Sequence, residues 1–184
     1  MHLRRLICDR RGIGGVEFAI LAPILISLYI TCFEITIAFS VSKRVTRAAS
    51  TIADLVTQQP EVSKTGLGGM IDVAKAIFVP YNSSLAKVSL KITGIRIDQT
   101  QTPKVEWSWD QDKARPYAVG TIVTSVPNEM RVASTFLVRT ELAVPHELLM
   151  FLPGIVSSEA RSLTLSRTYF YRQRVGDSVA CKDC

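Results

Sequence analysis

The stretch VEFAILAPILISLYITCFEITIAFSV, Val16 to Val41, limits the folds open to this chain more than any other feature. Only Glu17 and Glu34 bring charge into it. About 20 apolar residues cross the hydrocarbon core of a bilayer as a helix, and Phe18–Phe33 with Ile35–Phe39 supply that length. A single spanning segment has to be a helix, because each backbone N–H and C=O must find its partner within the segment. Pro23 lacks an N–H and should loosen or kink that helix.

Four readings of the run compete. A cleaved secretory signal has an apolar region of about 7–15 residues and a small-x-small site; this run is longer, and Ala38-Phe39-Ser40 is a poor site. A lipoprotein needs small residues before its cysteine, and Tyr29-Ile30-Thr31-Cys32 does not offer them. A buried core helix of this length with two acids in it is disfavoured. A retained membrane helix over 13–41 fits best. It leaves residues 1–12 as a short leader and 42–184 as the body.

Charge is distributed unevenly. The 184-residue chain carries a net charge of +6. The leader holds Arg4, Arg5, Arg10 and Arg11 against Asp9, and the body is only mildly basic with both signs interspersed. Lys and Arg form no dense stripe interleaved with aromatics, which argues against a nucleic-acid partner. The density of arginine before the run favours amino end inside and body outside, although Lys43, Arg44 and Arg47 flank the other end.

The body reads as an α+β domain. Val45, Ala48, Ala49, Ile52, Leu55 and Val56 recur at helical spacing, so the membrane helix should continue outward as an amphipathic stalk ended by Pro60. A shorter helix is expected over Leu67–Phe78, closed by Pro80. Val88, Leu90 and Ile92 alternate. Gly94 then shifts the phase to Ile95 and Ile97, the signature of a bulge. Asp98–Thr102 reads as a hairpin loop, and Val105-Glu106-Trp107-Ser108-Trp109-Asp110 as a strand with its apolar residues on one face. The two tryptophans suit core packing, with a sugar-binding platform as the alternative. A charged loop over Asp110–Arg115 and a helical turn over Val126–Arg131 follow. Two further strands carry Phe136, Val138, Leu142 and Val144, then Leu163, Leu165, Tyr169 and Tyr171, with Arg167 breaking the second pattern. The expected whole is a long amino-terminal helix on a small antiparallel sheet.

No catalytic constellation emerges. His2 lies in the leader and His146 stands alone in Pro145-His146-Glu147. There is no nucleophile elbow, P-loop, HExxH or EF-hand loop, so an enzyme is not expected, nor is a cofactor. Cys181-Lys182-Asp183-Cys184 offers two thiols where a structural zinc site wants four ligands, so no metal is expected. In an oxidising compartment a Cys181–Cys184 disulfide is the expected state, with free thiols or an intermolecular bridge left open. Cys32 reads as a small apolar filler. Glu34 reads as an interfacial acid near Lys43 and Arg44.

Glu17 is harder to place. An ionised side chain at mid-membrane costs on the order of 2.5–3.5 kcal/mol, so this carboxylate needs a partner. Arg10-Arg11-Gly12, then Gly15-Val16-Glu17-Phe18-Ala19, then Leu21-Ala22-Pro23 and an apolar run into Phe33-Glu34, resembles the TadE-like family. These are minor pseudopilins of the tight-adherence (Tad, or Flp) system within the type IV pilus superfamily. The likeness is close over residues 9–55, including Arg44-Val45-Thr46-Arg47-Ala48-Ala49, and weaker at Val105-Glu106-Trp107-Ser108 and the late Tyr-Phe-Tyr-Arg.

The resemblance implies a prepilin peptidase that cuts after a glycine at the cytoplasmic face and leaves a glutamate fifth in the mature chain. Cleavage between Gly12 and Ile13 meets that pattern, whereas cutting after Gly14 or Gly15 would place Glu17 third or second. The new α-amino group, with an ordinary pKa of about 7.7–8.0, is mostly charged at neutral pH. It supplies the partner that Glu17 needs, from the same chain or from a neighbouring subunit. The implied partners are the prepilin peptidase, other pilins or pseudopilins, the assembly platform and inner-membrane lipid. The implied location is the bacterial inner membrane, single-pass, with the carboxyl-terminal domain in the periplasm or carried into a pilus. The alternative is an unprocessed single-pass anchor whose envelope domain binds a protein or envelope ligand.

Overall fold

The computed structural model describes residues 13–79, 88–112, 114–147 and 162–184. The leader over 1–12, with Gly12, lies outside the described residues, as does Pro80.

One helix, α1 (Ile13–Thr57), contains both the apolar run and the stalk and passes unbroken through Pro23. Its buried residues, Val41, Val45, Ala48, Ala49, Ile52, Ala53 and Val56, follow the i, i+3, i+4 spacing read from the sequence; Leu55 is half-buried at the stripe's edge. Each buried valine or isoleucine on this face contributes about 1.5–3 kcal/mol by leaving water. The short strand β1 (Glu61–Val62) reverses the chain into α2 (Lys64–Phe78). That helix begins three residues earlier than its apolar pattern predicts, because Ser63 caps it: the Ser63 hydroxyl accepts from the Gly66 N–H at 3.2 Å. At its other end Arg44 of α1 donates to the Ile77 and Val79 carbonyls, both at 2.8 Å, so α2 returns alongside α1.

Four strands form an antiparallel sheet in the order β3-β2-β4-β5: β2 (Ser89–Ile97), β3 (Pro103–Asp110), β4 (Phe136–Glu147) and β5 (Ser162–Arg172). A short strand β6 (Ala180–Cys181) pairs with β1 in parallel, a second sheet absent from the sequence reading. The Gly94 bulge is present: Gly94 opposes Trp107 and Ile95 opposes Val105, so Glu106 has no opposite residue. This corrects one expectation. Val105 does not share the face of the tryptophans; the bulge turns it to the other side of the sheet with Ile95, Ile97 and Leu137. Trp107 and Trp109 pack with α1 and α2 in the main core, where they are 5% and 1% exposed, so they are not a surface platform.

The excursion between β3 and β4 lays Val123, Val126 and Met130 over that second cluster, through a 3-10 turn at Asn128–Met130. Beside it, buried Arg139 lies 4.4 Å from the Tyr117 ring and 3.2 Å from Glu141. Burial first, then the hydrogen bond to Glu141, raises the Tyr117 phenol above its ordinary value.

Candidate functional site

The helix α1 divides into two lengths with different surroundings. From Gly14 to Phe33 every residue is exposed apart from half-buried Ala22, Ile30 and Thr31. Phe18 and Tyr29 are 69% and 70% exposed. The most apolar window of α1 has a mean hydropathy of 2.1, yet only 6% of it is buried inside the fold. A core helix is defined by what packs on it; this length has no such covering and is about 30 Å long at 1.5 Å per residue, the thickness of a bilayer's hydrocarbon core. From Glu34 onward one side of the same helix is covered.

Hydroxyls in the apolar run turn back on their own helix. Ser27 donates to the Ile24 carbonyl at 2.8 Å, Thr31 to Ser27 at 2.8 Å, Thr36 to Cys32 at 2.8 Å and Ser40 to Thr36 at 2.9 Å. That satisfies them without water.

Glu17 lies on the exposed first turns of α1, and among the described residues it forms no hydrogen bond or ion pair. The described helix begins at Ile13, so Glu17 stands one turn above that residue's backbone. Gly12, the other half of the expected processing site, is outside the described residues. Glu34 differs from its reading as an interfacial acid. It is 3% exposed and heads the covered stripe that continues through Val41 and Val45. Cys32 is exposed and fills no space within the fold.

Cys181 and Cys184 are bonded to each other, with Cα atoms 5.6 Å apart. Asp183 lies beside both sulfurs, the one grouping of metal-type ligands among the described residues, but the sulfurs are committed to one another. The Asp183 carboxylate instead caps a helix, its Oδ1 accepting from the Lys64 N–H at 2.8 Å, at the start of α2. Around it, Lys182 pairs with Glu61, Arg115 donates to the Cys184 carbonyl, and the Trp107 indole donates to the Val179 carbonyl at 2.7 Å. Arg174 bonds the end of α1 through the Thr57 carbonyl at 2.9 Å and Asp54 at 2.8 Å. The carboxyl-terminal stretch is thus a clasp joining α1, β1, α2 and β3. Sequence reading found the cysteines but not the clasp. Its contacts are remote in sequence, 119 positions between Lys64 and Asp183, and carry no local signature.

His146 is buried. An open groove of about 410 Å³ beside the β2–β3 turn is lined by residues including Thr100, Gln101, Pro103, Asn128 and Arg131, with no acid, histidine or cysteine among its lining.

Residues 12–54 match the family model described as TadE-like protein. The resemblance read from residues 9–55 is borne out over that span, which begins at Gly12, includes Glu17 and ends in the stalk; Val105–Ser108 and the late tyrosines lie beyond it. No curated protein and no solved structure matches the chain.

Proposed function

We propose that this chain is a minor pilin-like subunit, a structural or assembly component of a Tad-type pilus rather than an enzyme. It is held in the inner membrane by the bare length of α1, with the sheet domain on the periplasmic side, and a prepilin peptidase trims it between Gly12 and Ile13. Its neighbours are other pilins or pseudopilins and the assembly platform.

The observation that carries this reading is Glu17, an exposed acid with no partner among the described residues, at the start of the bare length of α1. A charge so placed is costly in hydrocarbon and becomes favourable once an amine is brought to it. Cleavage before Ile13 would create that amine one helical turn away. In an assembly of parallel helices, the amine of an adjacent subunit serves equally well. The match over residues 12–54 supports the family context of this chemistry.

Sequencing the mature amino terminus by mass spectrometry, with piliation scored alongside, tests the proposal. Substitution of Gly12 should block trimming. Glu17→Ala should leave trimming intact and impair assembly. If both variants assemble pili normally the reading fails. Retention of Met1–Gly12 in cells containing the peptidase would instead favour the unprocessed envelope anchor.

A further inference from the structure

We propose that Lys43 and Arg167 form a cationic collar at the membrane-proximal rim of the domain and bind the phosphate of an anionic phospholipid. The proposal rests on the reading above that α1 spans a bilayer.

Two elements bring the cations to one level. Lys43 is exposed on α1, in the i, i+4 row Ile35, Phe39, Lys43, Arg47, on a side of the helix the domain leaves open. Arg167 is on β5, and its guanidinium donates to the Ser42 hydroxyl of α1 at 2.9 Å and to the Ser166 carbonyl at 2.8 Å. Arg167 breaks the apolar alternation of β5 because its position faces the helix at the height of Ser42, where the side chain emerges into the open. Among the described residues, no carboxylate pairs with Lys43 or Arg167.

Both cations sit above an apolar residue on the membrane side. The Lys43 ammonium lies 4.6 Å from the centre of the Phe39 ring, so the side chain is folded back one turn towards the bare segment. That is the posture of a lysine reaching for an interface, and Phe39, 62% exposed, is an aromatic suited to headgroup depth. Two residues past the end of β5, Arg174 bonds the distal end of α1, while Arg167 within it bonds Ser42, so the strand runs outward. Leu163, four residues before Arg167 and 48% exposed, is therefore on the membrane side of it. Each half of the collar places a positive charge above an exposed apolar side chain, matching the order of phosphate above acyl chain.

Phe39 is about 9 Å beyond Phe33 along the helix, and each headgroup layer adds about 5–8 Å to the hydrocarbon core. With the Lys43 ammonium folded back to the level of Phe39, the charge stands about 1–4 Å outside that layer, and Arg167 at the height of Ser42 about 4–5 Å further out. Tilt of the helix and the reach of the two side chains close that gap.

The test uses the full chain reconstituted with equal amounts of phosphatidylglycerol and phosphatidylcholine, extracted in mild detergent, with retained lipids counted by native mass spectrometry. Wild type should retain phosphatidylglycerol preferentially. A juxtamembrane cation changes anionic-lipid binding about fivefold, so Lys43→Gln with Arg167→Gln should lower that retention by an order of magnitude or more. The charge-preserving pair Lys43→Arg with Arg167→Lys should keep most of it, which separates loss of charge from misfolding. Arg47→Gln, one turn further out, should lower it less than Lys43→Gln. Equal retention of the two lipids by wild type, undiminished retention by the double glutamine variant, or an equal effect of Arg47→Gln overturns the collar. Failure of the membrane reading shows separately, as release of the full chain into the aqueous fraction on alkaline extraction of membranes.

Discussion

Gly94 lies so close to Trp107 that a Cβ at position 94 would stand 2.4 Å from the indole Nε1 and 2.7 Å from Phe136 Cζ. The glycine that shifts the phase of β2 is also the floor on which the larger of two packed aromatic rings rests. The bulge and the core are one feature, since a side chain here would displace the indole that joins β3 to the carboxyl-terminal clasp.

Gly94→Ala should therefore destabilise the domain by about 1–3 kcal/mol, the usual cost of forcing atoms into a filled core. Urea denaturation of the full chain in detergent, followed by tryptophan fluorescence, measures it. A change below about 0.5 kcal/mol would show that the indole moves aside freely.

Trp107→Phe removes the donor to the Val179 carbonyl, which is buried, and leaves that acceptor unmatched. The expected cost is about 1–3 kcal/mol. It should be accompanied by faster hydrogen exchange in Ala180 and Lys182, whose N–H groups bond to Pro60 and Val62. Unchanged exchange there would separate the indole from the clasp.

Ser63→Ala should cost about 1 kcal/mol by removing the cap of α2. Asp183→Asn, which discharges the carboxylate at the same helix end, should cost about 0.3–1 kcal/mol. Because both act on the first turn of α2, the double variant should be non-additive. Thermal melts of the four proteins decide this; strict additivity would mean the two contacts act independently.

The β2–β3 turn should be acid-sensitive. Asp98 Oδ1 accepts from the Thr100 hydroxyl at 2.6 Å and from the Thr100 and Thr102 N–H groups at 2.9 Å, while Lys104 lies 3.0 Å from Oδ2. The Thr100 hydroxyl foremost, then the Thr102 N–H and Lys104, hold this carboxyl well below the ordinary carboxylate range. A lowered folded-state pKa contributes stability that is present above the unfolded value of about 4 and is lost as pH falls through the folded value. The protection of amides 98–102, taken relative to the unstructured rate at each pH, should therefore fall progressively below about pH 4 in wild type. Asp98→Asn should show fast exchange already at neutral pH. A flat profile in wild type would contradict the assignment.

Local pattern was enough for much of this fold. The i, i+3, i+4 series from Val45 to Val56 named the packed face of the stalk, because a helix on a sheet must bury one stripe. Gly94 announced the bulge, because alternation cannot change phase without an extra residue. What escaped depends on partners remote in sequence. Val105 changes sides only because Glu106 is left unopposed, which no single strand reveals. Glu34 is 3% exposed although its neighbours in sequence suggested an interface. Arg167 looked like an interruption until Ser42, 125 residues away, stood beside it. For the candidate site, composition placed the apolar run and Glu17, but only the fold separates the bare length of α1 from the covered one.

That separation has a mechanical consequence. The bare length and the domain share one continuous helix, with no linker between them to absorb rotation. From Phe33 to Thr57 the helix is a rigid arm of about 36 Å. With Gly14–Phe33 in a bilayer, the tilt of about 20° common for membrane helices would carry the far end about 12 Å sideways, and the sheet with it. Held so, the angle of the bare length in the bilayer would aim the domain above it.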